Sequence, residues 1–248
     1  METTAEAVSP TRTGLLNRLG LHRRELRAWA MYDWAASSVQ TTIMVAVFPI
    51  YFIRVAGANV PPELANQHLA TANAISVAIV ALLSPVLGAI ADYSGRKKQL
   101  LAFFLAVGVV STGSMFFVGS GDLRLAEILY VLSMSSVAGS YVFYESLLPH
   151  IASESEMDRV STAGYAIGYL GGGVLLALNL AWIQKPEWFG LPSGEGLSAD
   201  DATLPARLAF LSVAIWWLVF SIPLFRRRAT ARSRSGHSRT ATLRGSRA

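Results

Sequence analysis

The chain contains no cysteine and little charge: only 15% of its 248 residues are Asp, Glu, Lys or Arg, against roughly 25% in an ordinary soluble domain. The absence of cysteine excludes disulfides and thiol chemistry, and with them a disulfide-stabilised secreted module. Hydrophobic residues make up 52% of the chain, and the six long charge-free stretches among them exclude a soluble enzyme and a disordered chain. The positions of the few charges are therefore the main evidence on fold class.

Six long stretches contain no Asp, Glu, Lys or Arg. They cover residues 34–53, 69–91, 99–121, 128–144, 160–184 and 208–225, with lengths of 20, 23, 23, 17, 25 and 18. A helix needs about 17–25 mainly apolar residues to cross the hydrocarbon core of a bilayer, so each stretch has spanning length. The sequence predicts an all-α membrane protein with six transmembrane helices. Its predicted parts are a basic N-terminal segment (1–28), a transmembrane domain (29–225) and a basic, disordered tail (226–248).

The basic residues lie mainly on one predicted side of the membrane. The tail alone carries eight Arg and no acid, which leaves 13 basic and 16 acidic residues elsewhere. The net charge of +5 is therefore local and does not indicate nucleic-acid binding. With the N-terminus inside, the inner segments hold 17 Lys and Arg and the outer segments 4. Because cytoplasmic loops are enriched in Lys and Arg, we expect both termini in the cytoplasm.

Polar side chains form stripes on two of the predicted helices. Helix 4 has hydroxyls at steps of three, four and four, on one helical face: Ser133, Ser136, Ser140 and Tyr144. Helix 1 carries a comparable set: Asp33, Ser37, Gln40, Thr41 and Met44. Since lipid does not solvate such groups, they are expected to face the bundle or a wet cavity. All of these except Met44 are candidates for a substrate cavity. The alternatives are that the hydroxyls bond to carbonyls of their own helices, and that Asp33 merely favours a helix N-terminus.

Helix 5 carries a stripe of glycines. Gly164, Gly168 and Gly172 form two successive small-x-x-x-small steps, and Asn179 lies on the same stripe. Such a face permits close approach of a neighbouring helix, so we interpret these glycines as packing residues.

A weak internal match relates helices 1 and 4. Tyr32, Ser37, Ser38 and Val39 recur 98 residues later as Tyr130, Ser135, Ser136 and Val137. Inverted repeats of three helices would pair helix 1 with helix 4 in this way. Four identities in apolar sequence also arise by chance, which is the simpler explanation.

The most specific motif follows helix 2. Residues 88–100 read GAIADYSGRKKQL, which resembles the G-x-L-A-D-R-x-G-R-K-x-x-L signature between helices 2 and 3 of the major facilitator superfamily. The resemblance implies a conformational latch formed by Gly88, Asp92, Gly95 and Arg96. Glu145, at the inner end of helix 4, is a further latch candidate through pairing with Arg96 or Arg159. The alternative is that the basic residues of this loop only set the topology.

Further segments narrow the family. WAMYDWA (29–35), FPIYF (48–52), LPHIA (148–152) and GYAIGYLGGG (164–173) look like the vacuole-effluxer family of that superfamily, which includes the autophagy-related vacuolar amino-acid effluxer and bacterial relatives. The resemblance runs from about residue 21 to residue 225. Such families have twelve spans in two six-helix halves. The resemblance therefore implies the N-terminal half of a major-facilitator fold, built from two three-helix inverted repeats.

These features favour a secondary transporter of a small polar solute, for which the resemblance suggests an amino acid. The expected partners are the lipid bilayer, the solute and a second six-helix half, supplied by a homodimer or a separate chain. A bacterial plasma membrane is favoured over a vacuolar membrane. The rival interpretations are a membrane interaction or remnant protein that does not transport, and a half-transporter that is active only as a dimer.

Enzymatic and cofactor-dependent functions are not expected. The lysines are Lys97, Lys98 and Lys185, and none follows a glycine, so there is no nucleotide-binding P-loop. All four histidines lie outside the predicted spans, which argues against a metal cluster and a Ser/His protease. They are His22, His68, His150 and His237.

Overall fold

The computed structural model describes residues 14–93 and 95–226. It contains six long apolar helices that could each span a membrane, and no strand occurs in the described residues. The helices are α1 (Arg24–Ala56), α2 (Pro62–Tyr93), α3 (Lys97–Ser114), α4 (Leu123–Glu145), α5 (Glu154–Gln184) and α6 (Ala199–Arg226). The predicted all-α, six-helix fold class is confirmed. Most of the predicted tail, 227–248, and residues 1–13 of the predicted N-terminal segment lie outside the described part.

Local sequence signals account for several helix ends. Pro62 opens α2, where its missing N–H costs nothing because the first helical donors have no intrahelical acceptor. Ser153 and Glu156 form a capping box that starts α5. Gly95 turns the chain between α2 and α3 with φ +62°, a conformation that glycine adopts without steric cost.

The segment before α1 is packed onto the bundle. A one-turn helix, Leu15–Arg18, precedes α1, and the side chains of Leu21 and Leu26 are buried. Arg23 Nη2 donates a 3.0 Å hydrogen bond to Glu156 Oε2 at the start of α5. Residues 14–27 thus contain a separate one-turn helix and, after a short connection, the first turn of α1.

Helix α1 is irregular along its length. It is α-helical over Arg24–Ser38, widens to a π-helix over Val39–Ala46, and widens again over Phe52–Ala56. Pro49 interrupts the backbone ladder between the two wide stretches because it has no N–H. The first stretch ends with Val47 N–H donating to the Thr42 carbonyl at 2.9 Å, an i to i−5 bond. Such widening changes which side chains share a face.

The helices pack in a repeated pattern. α1 packs along α5 and α6, α4 packs along α2 and α3, and α3 also contacts α6. If α1 is exchanged with α4, α2 with α5 and α3 with α6, the same pairs of helices are in contact. The central helices α1 and α4 meet through aromatic rings: Tyr32 stacks on Tyr144 of α4, and Tyr130 stacks on Phe48 of α1. This pairing is what two three-helix repeats predict.

Candidate functional site

A cavity of about 240 Å³ opens between α1, α4 and α5. Its described lining consists of Trp29, Asp33, Tyr141, Tyr144, Glu145, Leu148, Ser161 and Tyr165. Asp33 lies in the first third of α1 and Glu145 at the end of α4, so the cavity lies at the end of the bundle where α1 begins. We call it the inner cavity. It brings together three residues predicted from the sequence: Asp33, Tyr144 and Glu145.

Asp33 is the polar centre of the inner cavity. Its side chain is 3% exposed, and its Oδ1 accepts hydrogen bonds from the Tyr141 hydroxyl at 2.7 Å and the Ser37 hydroxyl at 3.4 Å. No described residue donates to Oδ2, and within residues 14–93 and 95–226 no Lys, Arg or His forms an ion pair with this carboxylate. One carboxylate oxygen therefore has no hydrogen-bond donor among the described residues.

Gly168 on α5 makes room for this carboxylate. A Cβ atom at position 168 would lie 2.8 Å from Asp33 Cγ, from Oδ2 and from Ser37 Oγ. Gly164 and Gly172 lie equally close to α1, against the ring of Trp29 and the Ser37 carbonyl. The glycine stripe therefore faces α1, and only glycine at 168 leaves space for the acid without displacing it.

The aromatic wall of the cavity is fixed by stacking. The ring of Tyr144 lies between Trp29, at 4.5 Å between centroids, and Tyr32, at 4.9 Å. Trp29 Nε1 donates to the Tyr144 carbonyl at 3.2 Å, which holds the stack in place. The Tyr144 hydroxyl is buried and has no hydrogen-bond partner among the described residues. At the other end of the cavity Glu145 and Tyr165 are exposed.

A second cavity of about 460 Å³ lies between α1, α2 and α4. We call it the central cavity. Gln40 and Met44 of the first π-helical stretch border it, and Asn73 of α2 accepts a 3.3 Å hydrogen bond from the Tyr130 hydroxyl nearby. Tyr141 lines both the central and the inner cavity. The hydroxyl group that binds Asp33 thus belongs to a residue that both cavities share.

The other predicted cavity hydroxyls lie in helix contacts. Ser133 bonds to Thr112 of α3 at 2.7 Å between hydroxyl oxygens, and the Ser140 hydroxyl donates to the Val137 carbonyl of its own helix at 2.7 Å. Ser136 lies opposite Gly108 of α3. Thr41 donates to the Gly172 carbonyl at 3.2 Å. The structure therefore places Ser133, Ser136, Ser140 and Thr41 in the packing between helices, beside rather than along the two cavities.

The predicted latch region is only partly described. The side chain of Asp92 and all of Ser94 lie outside the described residues, and a Cβ at Gly88 would meet no atom within 4 Å. Lys97 Nζ donates to the Ser146 carbonyl at 3.3 Å and Lys98 Nζ to the Leu224 carbonyl at 2.9 Å. These lysines thus bind carbonyls at the ends of α4 and α6, a role that the sequence analysis did not assign. Glu145 forms no ion pair with any residue that the structure describes.

Several site residues were missed by the sequence analysis. Trp29, Tyr141, Ser161 and Tyr165 line the inner cavity, and Asn73 lines the central one. Tyr141 lies three residues before Tyr144, so helical periodicity would have placed it near the same face. His68 lies inside α2, with Nδ1 2.6 Å from Glu127 Oε1. In the described part of the chain, no group of three His, Cys, Asp or Glu side chains is arranged to hold a metal.

Comparison with known proteins gives the family. Residues 68–244 match the model of the vacuole effluxer Atg22-like family. The uncharacterized MFS-type transporter YxiO of Bacillus subtilis is 32% identical over 82% of this chain and 46% of its own length. Autophagy-related protein 22 of Yarrowia lipolytica is 22% identical over 78% of this chain and 38% of its own. The chain therefore spans less than half the length of these relatives. No solved structure matches significantly. The family-model match over residues 68–244 and the 32% identity to the MFS-type transporter YxiO show that the chain belongs to the vacuole effluxer Atg22-like family of the major facilitator superfamily.

Proposed function

We propose that this chain is one six-helix half of a secondary transporter for a small polar solute, with an amino acid as the candidate that the family favours. The observation that carries the proposal is the pair of cavities beside the central helices α1 and α4, which share Tyr141 in their linings, with the buried carboxylate of Asp33 in one of them. Intramembrane acids are rare and mark solute or ion pathways. Rocking of two halves about a midplane site would expose such cavities alternately to each side.

The open face of the bundle supports a second half. Gln40 on α1 and the rings of Tyr165 and Tyr169 on α5 are exposed, and α2 is the least buried of the six helices. An exposed amide facing hydrocarbon is unfavourable because lipid offers it no hydrogen bond. A second six-helix unit, either another copy or a separate chain, would cover this face. Both termini are proposed to lie in the cytoplasm, in the plasma membrane of a bacterium.

Reconstitution tests the proposal. The full chain is purified, its oligomeric state is measured, and monomeric and dimeric fractions are placed in proteoliposomes loaded with a mixture of labelled amino acids. We expect solute exchange only where a second half is present. No exchange by any assembly would favour the rival function, a membrane interaction or remnant protein. A neighbouring reading frame that encodes six further spans would identify a separate second chain.

A further inference from the structure

The inner cavity has the charge and the polar groups of a site for a cation. None of its eight described lining residues is Lys, Arg or His, whereas two are acids and three are tyrosines. Asp33 Oδ2 accepts no hydrogen bond from a described residue, because Tyr141 and Ser37 both bind Oδ1. An anionic solute would meet two carboxylates and no cationic side chain among these lining residues. A positively charged donor would instead complete the coordination of a buried carboxylate that has no ionic partner within residues 14–93 and 95–226.

A second, independent feature points to a ligand with N–H donors. The Tyr144 hydroxyl is buried and unpartnered among the described residues, although Tyr144 lines the same cavity. Leaving a buried hydroxyl unpaired is costly. The stack of Tyr144 between Trp29 and Tyr32 keeps its ring from turning toward another partner. A ligand able to donate more than one hydrogen bond could satisfy both this oxygen and Asp33 Oδ2.

We propose that the inner cavity binds the protonated amino group of an organic solute, with the ammonium N–H groups donated to Asp33 Oδ2 and to the Tyr144 hydroxyl oxygen. Glu145 at the open end adds a second negative charge that attracts the cation. The exposed ring of Tyr165 adds an aromatic surface, which favours cations over neutral solutes. This inference rests on the proposed transport function, since it names the solute group that the same cavity takes.

The size of the cavity limits the ligand. A water molecule occupies about 30 Å³ in the liquid, so a cavity of about 240 Å³ takes a solute with a handful of non-hydrogen atoms. The ammonium group could belong to a simple amine or to an amino acid whose carboxylate lies outside the cavity. Both share the chemistry that Asp33 and Tyr144 recognise, and matched probes separate them.

Binding calorimetry on the full chain in detergent tests the site without requiring transport or a second half. The probes are propylamine, butyrate and 2-aminobutyrate at pH 7, where an alkylamine is protonated. We expect propylamine to bind and butyrate not to bind. Binding of 2-aminobutyrate as tight as that of propylamine would assign the site to amino acids, and weaker binding would assign it to simple amines. Either result supports recognition of the ammonium group.

Two variants locate the binding. Asp33→Asn should weaken propylamine binding at least about tenfold, as expected for loss of a charge-assisted hydrogen bond. Tyr144→Phe should weaken it about threefold to tenfold while leaving the stacked rings in place. The control Asp158→Asn removes an exposed carboxylate that lies outside the cavity lining and should leave affinity unchanged. If Asp33→Asn does not fold, Tyr144→Phe still decides the question.

The outcomes separate this inference from the transport proposal. Absence of propylamine binding by the native chain, equal binding of butyrate, or unchanged affinity in a folded Asp33→Asn or Tyr144→Phe variant would each overturn the ammonium site. Exchange of a solute without an amino group by reconstituted protein would leave the transporter proposal intact and overturn the ammonium site. Charge-dependent propylamine binding without transport by any assembly would support the ammonium site and overturn the transporter proposal.

Discussion

The hydroxyl group of Tyr141 on α4 donates a 2.7 Å hydrogen bond to the carboxylate of Asp33 on α1. This bond joins the two central helices through a residue that lines both the inner and the central cavity. Ser37, at 3.4 Å, is the other described donor to Asp33. The position of the acid therefore depends mainly on one side chain of the opposite helix.

Replacing Tyr141 by Phe should release Asp33 while keeping the ring. We expect the free energy of unfolding in detergent to fall by about 1 kcal/mol, because hydrogen bonds to charged groups are stronger than average but side-chain bonds in membrane proteins are modest. Propylamine affinity should fall as well, since Asp33 loses its fixed orientation. Thermal melting followed by size-exclusion chromatography measures the first effect. Tyr169→Phe removes a hydroxyl from a ring that is 75% exposed and is the control; equal melting of both variants would contradict the prediction.

Replacing Gly168 by Ala should disturb the contact between α5 and α1. The new Cβ would lie 2.8 Å from Asp33 Cγ and Ser37 Oγ, and overpacking of this kind costs about 1–3 kcal/mol. Gly173→Ala on the same helix is a matched control, because a Cβ there meets no atom within 4 Å. It should be neutral or slightly stabilising, since alanine favours helix. Similar yields and melting temperatures for both variants would argue against close packing at Gly168.

The helix count could be predicted from the sequence, because six charge-free stretches long enough to span a bilayer leave few other folds. The ends of the helices are harder to predict from the sequence. The predicted second span begins at residue 69, but α2 starts at Pro62, since the polar residues Gln67 and His68 do not stop a helix. That difference puts His68 inside α2, beside Glu127. Hydropathy marks the buried part of a span rather than its full helical length.

The cavity could be predicted only in part. Periodicity places Ser133, Ser136 and Ser140 on one face of α4, but it does not say that α3, with Thr112 and Gly108, covers that face. In α1 the π-helical stretch Val39–Ala46 rotates the residues after Ser38 relative to a regular helix. Gln40 and Met44 therefore border the central cavity, while Thr41 packs against α5. Neither effect follows from residue spacing alone.

The serine stripe gives a test that separates packing from solute contact. Ser133→Ala would leave the Thr112 hydroxyl buried without its 2.7 Å partner, so we expect a loss of stability of about 1 kcal/mol and unchanged propylamine affinity. Gln40→Ala, at an exposed position on the central cavity, should change stability by less than about 0.5 kcal/mol and lower exchange by an active assembly. Melting and exchange measurements check both. Lowered exchange by a stable Ser133→Ala variant would instead assign this hydroxyl to the solute path.

The orientation can be tested without background labelling, because the chain has no cysteine. Ser155, in the first turn of α5, and Ser193, in the loop after α5, are exposed residues at opposite ends of that helix. From the bias of 17 to 4 basic residues, a membrane-impermeant maleimide should label Ser193→Cys in intact cells and label Ser155→Cys only after permeabilisation. The opposite pattern would reverse the orientation and place the inner cavity outside the cell.

A monomer of this chain should not transport. Alternating access needs two states with different affinity for the solute, and a single six-helix unit supplies only one wall of the cavities, leaving Gln40 and α2 uncovered. We expect no exchange of propylamine or amino acids by monomer in proteoliposomes, and exchange only when a second half is present.

If a dimer is active, Leu82→Cys on α2, where the side chain is 77% exposed, should cross-link between copies, whereas Val110→Cys, 66% exposed on α3, should not. In that dimer Asp92→Asn should abolish exchange, as the latch resemblance implies. Robust exchange by a demonstrated monomer would show that six helices suffice, because no second half could then be forming the opposite wall.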